Sequence, residues 1–346
     1  MRFQHTFIEH LTTELPEEVW TSEYLEARLE PAYRRAGLQA GRIELMTGIR
    51  ERRMWPRGTF PSEASARAAG KLIEKGVNDL GAIDVLMHCG VSRDRLEPAT
   101  AAKVHQLLGL RGHCQIFDLS NACLGFLNGL LVAASMVEGG LVKSVLVAAG
   151  ENGRPLVEGT IKTLNERPDL TRKSIKPWFA NLTIGSGAVA GLVVREDVVQ
   201  SSGALRLRGG FGETDTSFAE LCQGDASGAG LEMATDSEEL LAAGMKVAKG
   251  AWGRFCEGLG VGAKTFNRFV THQVGRAHQR ELFKQLSLDE GLDYPTYPVL
   301  GNIGSVSCPG SLALGLESGE IRSGERVALL GIGSGLSSLM LDIEVC

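Results

Sequence analysis

Three side chains in this sequence combine into a plausible reaction: Cys123, His272 and Asn302. Cys123 lies in DLSNACLGFLNGLLVAASMVEGG (118–140), where a short apolar segment, CQIFDL, gives way to a run that is apolar on nearly every face. A cysteine at the start of a buried helix sets its thiol against the positive end of the helix dipole. That lowers the thiol pKa and favours the thiolate, the nucleophilic form. Ala122 and Gly125 leave room for a substrate carbonyl, as in the nucleophile elbows of other α/β enzymes. The competing reading is a small buried hydrophobe, the usual state of a free cysteine. His272 follows RFVT and Asn302 ends YPVLGN, so both fall at the carboxyl ends of expected strands, where open α/β sheets build their sites. An imidazole can donate a hydrogen bond or move a proton, and an amide donates without ionising. Together they can hold a carbonyl oxygen as it becomes negative. Taken singly they read as a satisfied histidine and a capping asparagine. His278, further along the same segment, reads as an exposed helix residue. GIGSG (331–335) lacks the G-K-[ST] ending of a phosphate loop and precedes a strand, so its glycines suit a close backbone approach to the pocket.

The elements that must position these groups alternate. SEASARAAGKLIEKG (62–76) predicts a helix with Ser62 as N-cap and Gly76 at its end. IDVLMHCGV (83–91), CQIFDL (114–119), KSVLVAAGE (143–151) and GSGAVAGLVV (185–194) predict buried strands, with ATAAKVHQLLGL (99–110) a helix between the first two. The second half repeats the theme. Ser237–Gly260 predicts a long helix, Phe266–Gln273 a strand, Gly275–Leu286 a helix and Cys308–Gly335 a helix, turn, strand and glycine loop. Residues 127–153 and 308–335 both run helix, Glu-x-Gly, basic residue and Ser, then an apolar strand ending in Gly, which points to an internal duplication. The pattern predicts α/β architecture with partly parallel sheets.

Composition bounds the function. The chain has 346 residues, 43% hydrophobic and 22% charged, enough for two domains or one duplicated one. A net charge of −5 without a basic block argues against a nucleic-acid surface. No segment has the apolar length of a membrane span, and the N-terminus does not read as a secretory signal. Seven cysteines without scaffold spacing and without a C-x-x-C pair fit free thiols in a reducing, cytoplasmic compartment and no metal site.

In this order the pieces resemble the thiolase superfamily and, within it, the β-ketoacyl synthase III-like enzymes. MTGIRERR (46–53) matches that family's early T-G-I-x-x-R-R signature, NACLGF holds the cysteine, THQ the histidine and GNIGS the asparagine. The resemblance spans most of the chain. It implies an α/β thiolase fold of duplicated βαβαβαββ units packed as a five-layer αβαβα sandwich. Residues 1–200 would form the half carrying Cys123, and residues 201–346 the half carrying His272 and Asn302. It implies that Cys123 is the acylated nucleophile, that His272 and Asn302 complete the triad, that the backbone N–H groups of Cys123 and Gly335 form the oxyanion hole, and that the enzyme is a homodimer.

SRDRLEPATAAKVHQLLGL (92–110) is similar to the enzymes of bacterial long-chain olefin biosynthesis that condense two fatty acyl-CoAs head to head. In ordinary synthase III enzymes the position of Glu97 is apolar and sits on a loop that enters the partner subunit's acyl pocket. A glutamate there is typical of the olefin-pathway type. A decarboxylating synthase obtains its carbanion by losing carbon dioxide and needs no base at that carbon. Joining two ordinary acyl thioesters requires removal of an α-proton, and a carboxylate in an apolar pocket has the raised pKa of a better base. Without the resemblance, Glu97 reads as a surface residue before Pro98. The synthase III pattern also has a Trp near Arg42 and an Arg where Met46 stands, both helping to hold coenzyme A. Their absence leaves the adenine site unassigned, and leaves open whether a carrier protein delivers one acyl group.

The expected function is a ping-pong, non-decarboxylative Claisen condensation of two long-chain fatty acyl-CoAs, giving a 2-alkyl-3-oxo product released as a β-keto acid for hydrocarbon biosynthesis. Acyl-CoA is the expected substrate, with no permanently bound cofactor, and downstream pathway enzymes are further partners. Long apolar channels must take the two chains. The alternatives are a decarboxylating β-ketoacyl synthase III using malonyl–carrier protein, a thiol acyltransferase or hydrolase, and an inactive scaffold subunit.

Overall fold

The computed structural model describes residues 1–77, 80–227 and 230–346. Nine strands form one continuous mixed sheet. They are β1 (Thr6–Glu14), β2 (Val85–His88), β3 (Gln115–Asp118), β4 (Ser144–Glu151), β5 (Gly187–Arg195), β6 (Leu205–Thr214), β7 (Arg268–Thr271), β8 (Arg326–Gly333) and β9 (Ser337–Val345). Their order across the sheet is β7-β8-β9-β6-β1-β5-β4-β2-β3. Two wings meet where Phe7 and Ile8 of β1 pair with Arg206 and Leu205 of β6. Outward from that join the pairing repeats. In one wing β1–β5 and β5–β4 are antiparallel and β4–β2 and β2–β3 parallel. In the other, β6–β9 and β9–β8 are antiparallel and β8–β7 parallel, and a lone parallel bridge from Phe269 to Asp293 stands where a fifth strand would lie.

Six helices matter for the site: α1 (Pro61–Glu74), α2 (Thr100–Leu108), α3 (Gly125–Glu138), α4 (Ser237–Leu259), α5 (Arg276–Leu286) and α6 (Ser307–Glu317). Helices α3 and α6 occupy the middle. Phe126 and Leu130 of α3 and Cys308 and Leu312 of α6 share one core with Val145 and Val147 of one wing and Leu329 and Leu341 of the other. Helices α1 and α2 cover the far face of the first wing, and α4 and α5 that of the second. Helix, sheet, helix, sheet and helix make five layers. Strand β4 shows why its residues are almost all apolar: Val145 and Val147 face the central helices while Leu146 and Ala148 face α1 and α2. A strand covered on both faces cannot alternate. Contact with both wings explains α3, whose apolar residues are not confined to one narrow stripe, although Val132 and Ser135 remain exposed. Among the described residues no helix is long and apolar enough to cross a membrane.

Two local expectations fail. The CQIFDL segment is not a buried strand. β3 is the outermost strand of its wing, and Ile116 and Phe117 are 38% and 37% exposed. An apolar run cannot distinguish a covered strand from an edge. Ser62 is not an N-cap, because α1 starts one residue earlier at Pro61. Its N–H and Oγ instead donate to Asp94, at 2.9 and 2.5 Å. A carboxylate from a distant loop thus serves the helix start beside the local Glu63, which accepts from the Phe60 N–H at 3.0 Å.

Helix α3 lies close to the first wing at Gly129. A Cβ there would sit 2.5 Å from Cys89 Sγ and 2.9 Å from Val147 Cγ1. Gly129→Ala removes a poor helix former, worth about 1 kcal/mol, but forces α3 off β4 at an overpacking cost of about 1–3 kcal/mol. The clash should win, lowering the midpoint of denaturant unfolding. An unchanged or raised midpoint would show that the central helix has slack.

Candidate active site

Cys123 stands between β3 and α3. The helix begins at Gly125, two residues beyond it. Ala122 holds φ +45°, a left-handed conformation that side chains resist, and so turns the chain sharply just before the cysteine. Asn121 Nδ2 donates to Asn128 Oδ1 in the first turn of α3 at 2.8 Å and fixes the turn. On the other side lies the end of β8. A Cβ at Gly333 would be 3.5 Å from the Cys123 nitrogen and 3.1 Å from Leu124 Cγ, so only glycine lets the strand come this near. The same strand end holds His272, whose N–H donates to the Leu330 carbonyl at 2.9 Å. Cys123 and His272, far apart in sequence, are both seated against β8. Gly335 has φ +101° and its Cβ direction is open space, while the close approach to Cys123 belongs to Gly333.

Asn302 does not end a strand as its sequence suggested: YPVL forms a short helix, Tyr297–Leu300, with Pro298 in its first turn, and the chain reaches Asn302 through Gly301 at φ +69°. Its Oδ1 accepts from the Gly304 N–H at 3.0 Å and from Ser307 Oγ at 3.4 Å. With the carbonyl end turned back on its own loop, the amide N–H groups are the end left to donate elsewhere. Gln273, beside His272, connects the two. Its Nε2 donates to the Thr271 carbonyl at 2.8 Å, and its Oε1 accepts from the N–H groups of Thr296 and Tyr297 at 2.9 and 3.0 Å. One buried amide therefore ties the His272 strand end to the helix that leads into Asn302. Sequence reasoning passed over Gln273, and its only signal was adjacency to the histidine.

The electrostatics reverse one expectation. Burial pushes the Cys123 thiol up to about 12, helped by the nearby Glu151 and Cys222. The helix dipole offers only about half a charge and fades within a turn. Here it acts from two residues away and loses to desolvation and a full negative charge. Burial also drives His272 down to about 3, with His278 lowering it further. His278 is not an exposed helix residue: it is turned inward, and burial lowers it to about 4. Among the described residues, the Nδ1 atoms of both rings are buried without a hydrogen-bond partner. At neutral pH the site therefore holds a neutral thiol and a neutral imidazole. Attack by such a thiol needs its proton removed as the bond forms, and a neutral imidazole is a competent acceptor.

Glu97 sits on the segment between β2 and α2. Three carboxylates hold that segment. The N–H groups of Val91 and Ser92 donate to Glu151 at 2.9 and 3.0 Å, Asp94 is bound to Ser62, and the N–H groups of Thr100 and Ala101 donate to Asp118 at 2.7 and 2.8 Å. Between these anchors the tip projects, with Glu97 exposed and Leu96 94% exposed. In the single chain Glu97 is not in an apolar pocket. Glu151, another residue the sequence reading missed, is 5% exposed at the end of β4 and also accepts from Ser305 Oγ at 2.6 Å and the Ser305 N–H at 3.3 Å. Among the described residues, no group of His, Cys, Asp and Glu side chains could hold a metal ion.

The buried imidazoles make stability pH-dependent. His272, His278 and His88 all have lowered pKa values, with burial the leading cause. Above the ordinary histidine value of 6.5 they are neutral in both states and cost nothing. As pH falls below it, the unfolded chain binds protons that the fold refuses down to about 4 for His278 and about 3 for His272, so stability is lost. Asp293, raised by burial from 3.8 to about 6, acts in the opposite sense and offsets part of this. The melting temperature should fall from pH 7 to pH 5, and His278→Gln should flatten that fall. An equally steep fall in His278→Gln would show that this ring does not carry the pH dependence.

Comparison with known proteins agrees with this geometry. The family model described as 3-oxoacyl-[acyl-carrier-protein (ACP)] synthase III matches residues 117–163, around Cys123, and the model of its C-terminal part matches residues 256–343, around His272 and Asn302. A Shewanella oneidensis protein named acyl-CoA:acyl-CoA alkyltransferase is 34% identical, over 99% of this chain and 100% of its own. Its Xanthomonas campestris namesake is 35% identical over 99% of each. A β-ketoacyl-[acyl-carrier-protein] synthase III from Deinococcus deserti is 27% identical over 93% of this chain and 86% of its own. Cerulenin-bound Xanthomonas campestris OleA superposes with a TM-score of 0.94 at 34% identity, covering 99% of this chain and 98% of that one. A form of the same protein with bound lauric acid and lauroyl-CoA gives 0.93, also at 34% identity, over 99% of both chains. Full-length likeness in sequence and in fold makes this chain a member of the acyl-CoA:acyl-CoA alkyltransferase family, a thiolase-fold branch akin to the β-ketoacyl synthases III.

Proposed function

We propose that this enzyme joins two long-chain fatty acyl-CoAs head to head without decarboxylation, in the ping-pong order expected of the family. The observation that carries the reading is Glu97, a carboxylate on a thrice-anchored, projecting loop, in a chain that matches the acyl-CoA:acyl-CoA alkyltransferases from end to end. Cys123 attacks the first thioester as His272 takes its proton, and the backbone N–H groups of Cys123 and Gly335 hold the oxyanion. The proton leaves with coenzyme A as its free thiol. Glu97 of the partner subunit then takes an α-proton from the second acyl-CoA. His272 and Asn302 stabilise the enolate, which attacks the Cys123 thioester and expels the sulfur as a thiolate; the proton that Glu97 removed returns to that sulfur, resetting both groups. The 2-alkyl-3-oxoacyl thioester is hydrolysed to the β-keto acid.

A homodimer is part of this reading. The apolar edge at Ile116 and Phe117 and the exposed Leu96 beside Glu97 are surfaces that a second copy would cover. The division at residue 200 into a half with Cys123 and a half with His272 and Asn302 belongs to the same proposal. So do a cytoplasmic location, favoured by seven free thiols, and delivery of the product to downstream enzymes. A decarboxylating synthase III, the reading suggested by the more distant relatives, leaves Glu97 without a task.

Labelled acyl-CoA should mark the wild type on Cys123 and leave Cys123→Ala unlabelled. Label on Cys89, Cys114 or Cys308 would sink the nucleophile assignment. His272→Ala and Asn302→Ala should each lose about two to three powers of ten in condensation turnover, the usual loss for one such donor. Glu97→Gln should still acylate Cys123 but lose both product and exchange of the second substrate's α-hydrogen with deuterated solvent. Mixed dimers of Glu97→Gln and Cys123→Ala subunits should regain activity, since one of their two sites has both groups. A wild-type requirement for a malonyl donor would favour the decarboxylating reading.

A further inference from the structure

Glu151 holds together two segments that the proposed mechanism uses separately. Its Oε1 accepts from the Val91 N–H at 2.9 Å and from Ser305 Oγ at 2.6 Å, and its Oε2 accepts from the Ser92 N–H at 3.0 Å. Val91 and Ser92 open the loop that carries Glu97. Ser305 lies three residues after Asn302, in the turn that binds the Asn302 carbonyl. A second bond reinforces the first segment, from the Asn152 N–H to Ser92 Oγ at 3.2 Å. Glycines let all this come close: a Cβ at Gly304 would lie 3.2 Å from Glu151 Oε1, and one at Gly90 would lie 3.5 Å from it.

The carboxylate has no cation to balance it. Every one of its partners is a donor, the arrangement an ionised carboxylate demands. Among the described residues no lysine or arginine forms an ion pair with it. His88, also next to Gly90, is kept neutral by burial and supplies no counter-charge. Burying an unpaired carboxylate is expensive, and a well-packed apolar residue would be cheaper for stability alone. We propose that Glu151 is a positioning residue that locks the Glu97 loop and the Asn302 turn to each other, so that the base given to one site is held in register with the amide of its own chain's site. The inference rests on the condensation reading for the roles of Glu97 and Asn302.

Glu151→Gln separates this from ordinary structural support. The amide keeps one acceptor oxygen, which can still serve Ser305. That oxygen also keeps the Val91 N–H, but the NH2 group cannot accept from the Ser92 N–H, so the Glu97 loop loses one of its two bonds to residue 151 while the Asn302 turn is kept. Exchange of the second substrate's α-hydrogen should drop about 10–100-fold, the range seen when a supporting hydrogen bond behind a reactive group is lost. Acylation of Cys123 should stay within about threefold. A second readout does not depend on the reaction at all. The groups acting on the Cys123 thiol are Glu151 from β4, Cys222 from the strand Cys222–Ser227 and, in the proposed mechanism, His272 from β7. Glu151 also acts on His88 from β2, on which Asp118 from β3 and Asp94 and the exposed Arg93 from the loop act as well. Of these charges the variant removes only that of Glu151, so the pH midpoint for alkylation of Cys123 by iodoacetamide should move down by about one unit. Glu151→Asp, which keeps the charge, should leave that midpoint near wild type. Ser305→Ala cuts the other arm without touching the charge, and should slow condensation several-fold with the midpoint unmoved. This variant decides the matter if Glu151→Gln does not fold: full turnover in Ser305→Ala would overturn the lock. A Glu151→Gln protein whose midpoint is unmoved, and whose acylation and exchange fall in step with its melting temperature, would overturn it too. If the wild type shows no α-hydrogen exchange, the condensation reading fails, and the alkylation shift alone then decides whether Glu151 acts on the Cys123 site.

Discussion

Packing α3 between the two wings of the sheet is the constraint on which the rest of this structure depends. A helix between two sheets must be apolar over most of its surface, and here the line of Asn128, Val132 and Ser135 faces outward. Cys123 lies just before the first turn of that helix and is half-buried in the single chain. That position brings the ends of β4 and β8 to Cys123, because those strands pack on the same helix. Glycine at 333 is what lets β8 arrive, and the strained φ of Ala122 is the local cost of turning from β3 into the buried helix.

A dry interior then dictates protonation. Burial disfavours a charge on either sign of group, so the thiol is raised and the imidazole lowered, and the resting pair is uncharged. This differs from cysteine enzymes that store a thiolate beside an imidazolium. A neutral thiol is a poor nucleophile until its proton has somewhere to go, which couples reactivity to the arrival of a carbonyl that the surrounding donors can hold as it turns into an oxyanion.

Loops around such a site cannot be held by packing alone, since their backbone donors need partners. Here carboxylates supply them. Asp94, Asp118 and Glu151 each receive two or more donors from a segment far away in sequence, and together they frame the projecting tip with Glu97. Gln273 does the same with a neutral amide between His272 and the approach to Asn302. The reactive side chains are few, and a larger group of buried polar residues fixes the backbone beneath them.

The sequence by itself determined what depends on residue type and local order. The alternation of apolar strands and helices, the repeated helix–strand unit and the motifs around residues 123, 272 and 302 were all readable, because periodicity and small-residue junctions are local properties. Only the tertiary structure decided what depends on neighbours brought from elsewhere. It showed that β3 is an edge with its apolar residues uncovered, that Asp94 rather than Ser62 serves the start of α1, and that His278 faces inward. It also reversed the sign of the Cys123 shift. A sequence shows a cysteine near a helix start, where the dipole favours the thiolate. It does not show how much water has been excluded or that Glu151, twenty-eight residues away in sequence, stands close by. Desolvation and through-space charge are sums over the whole fold, so no short stretch of chain carries them.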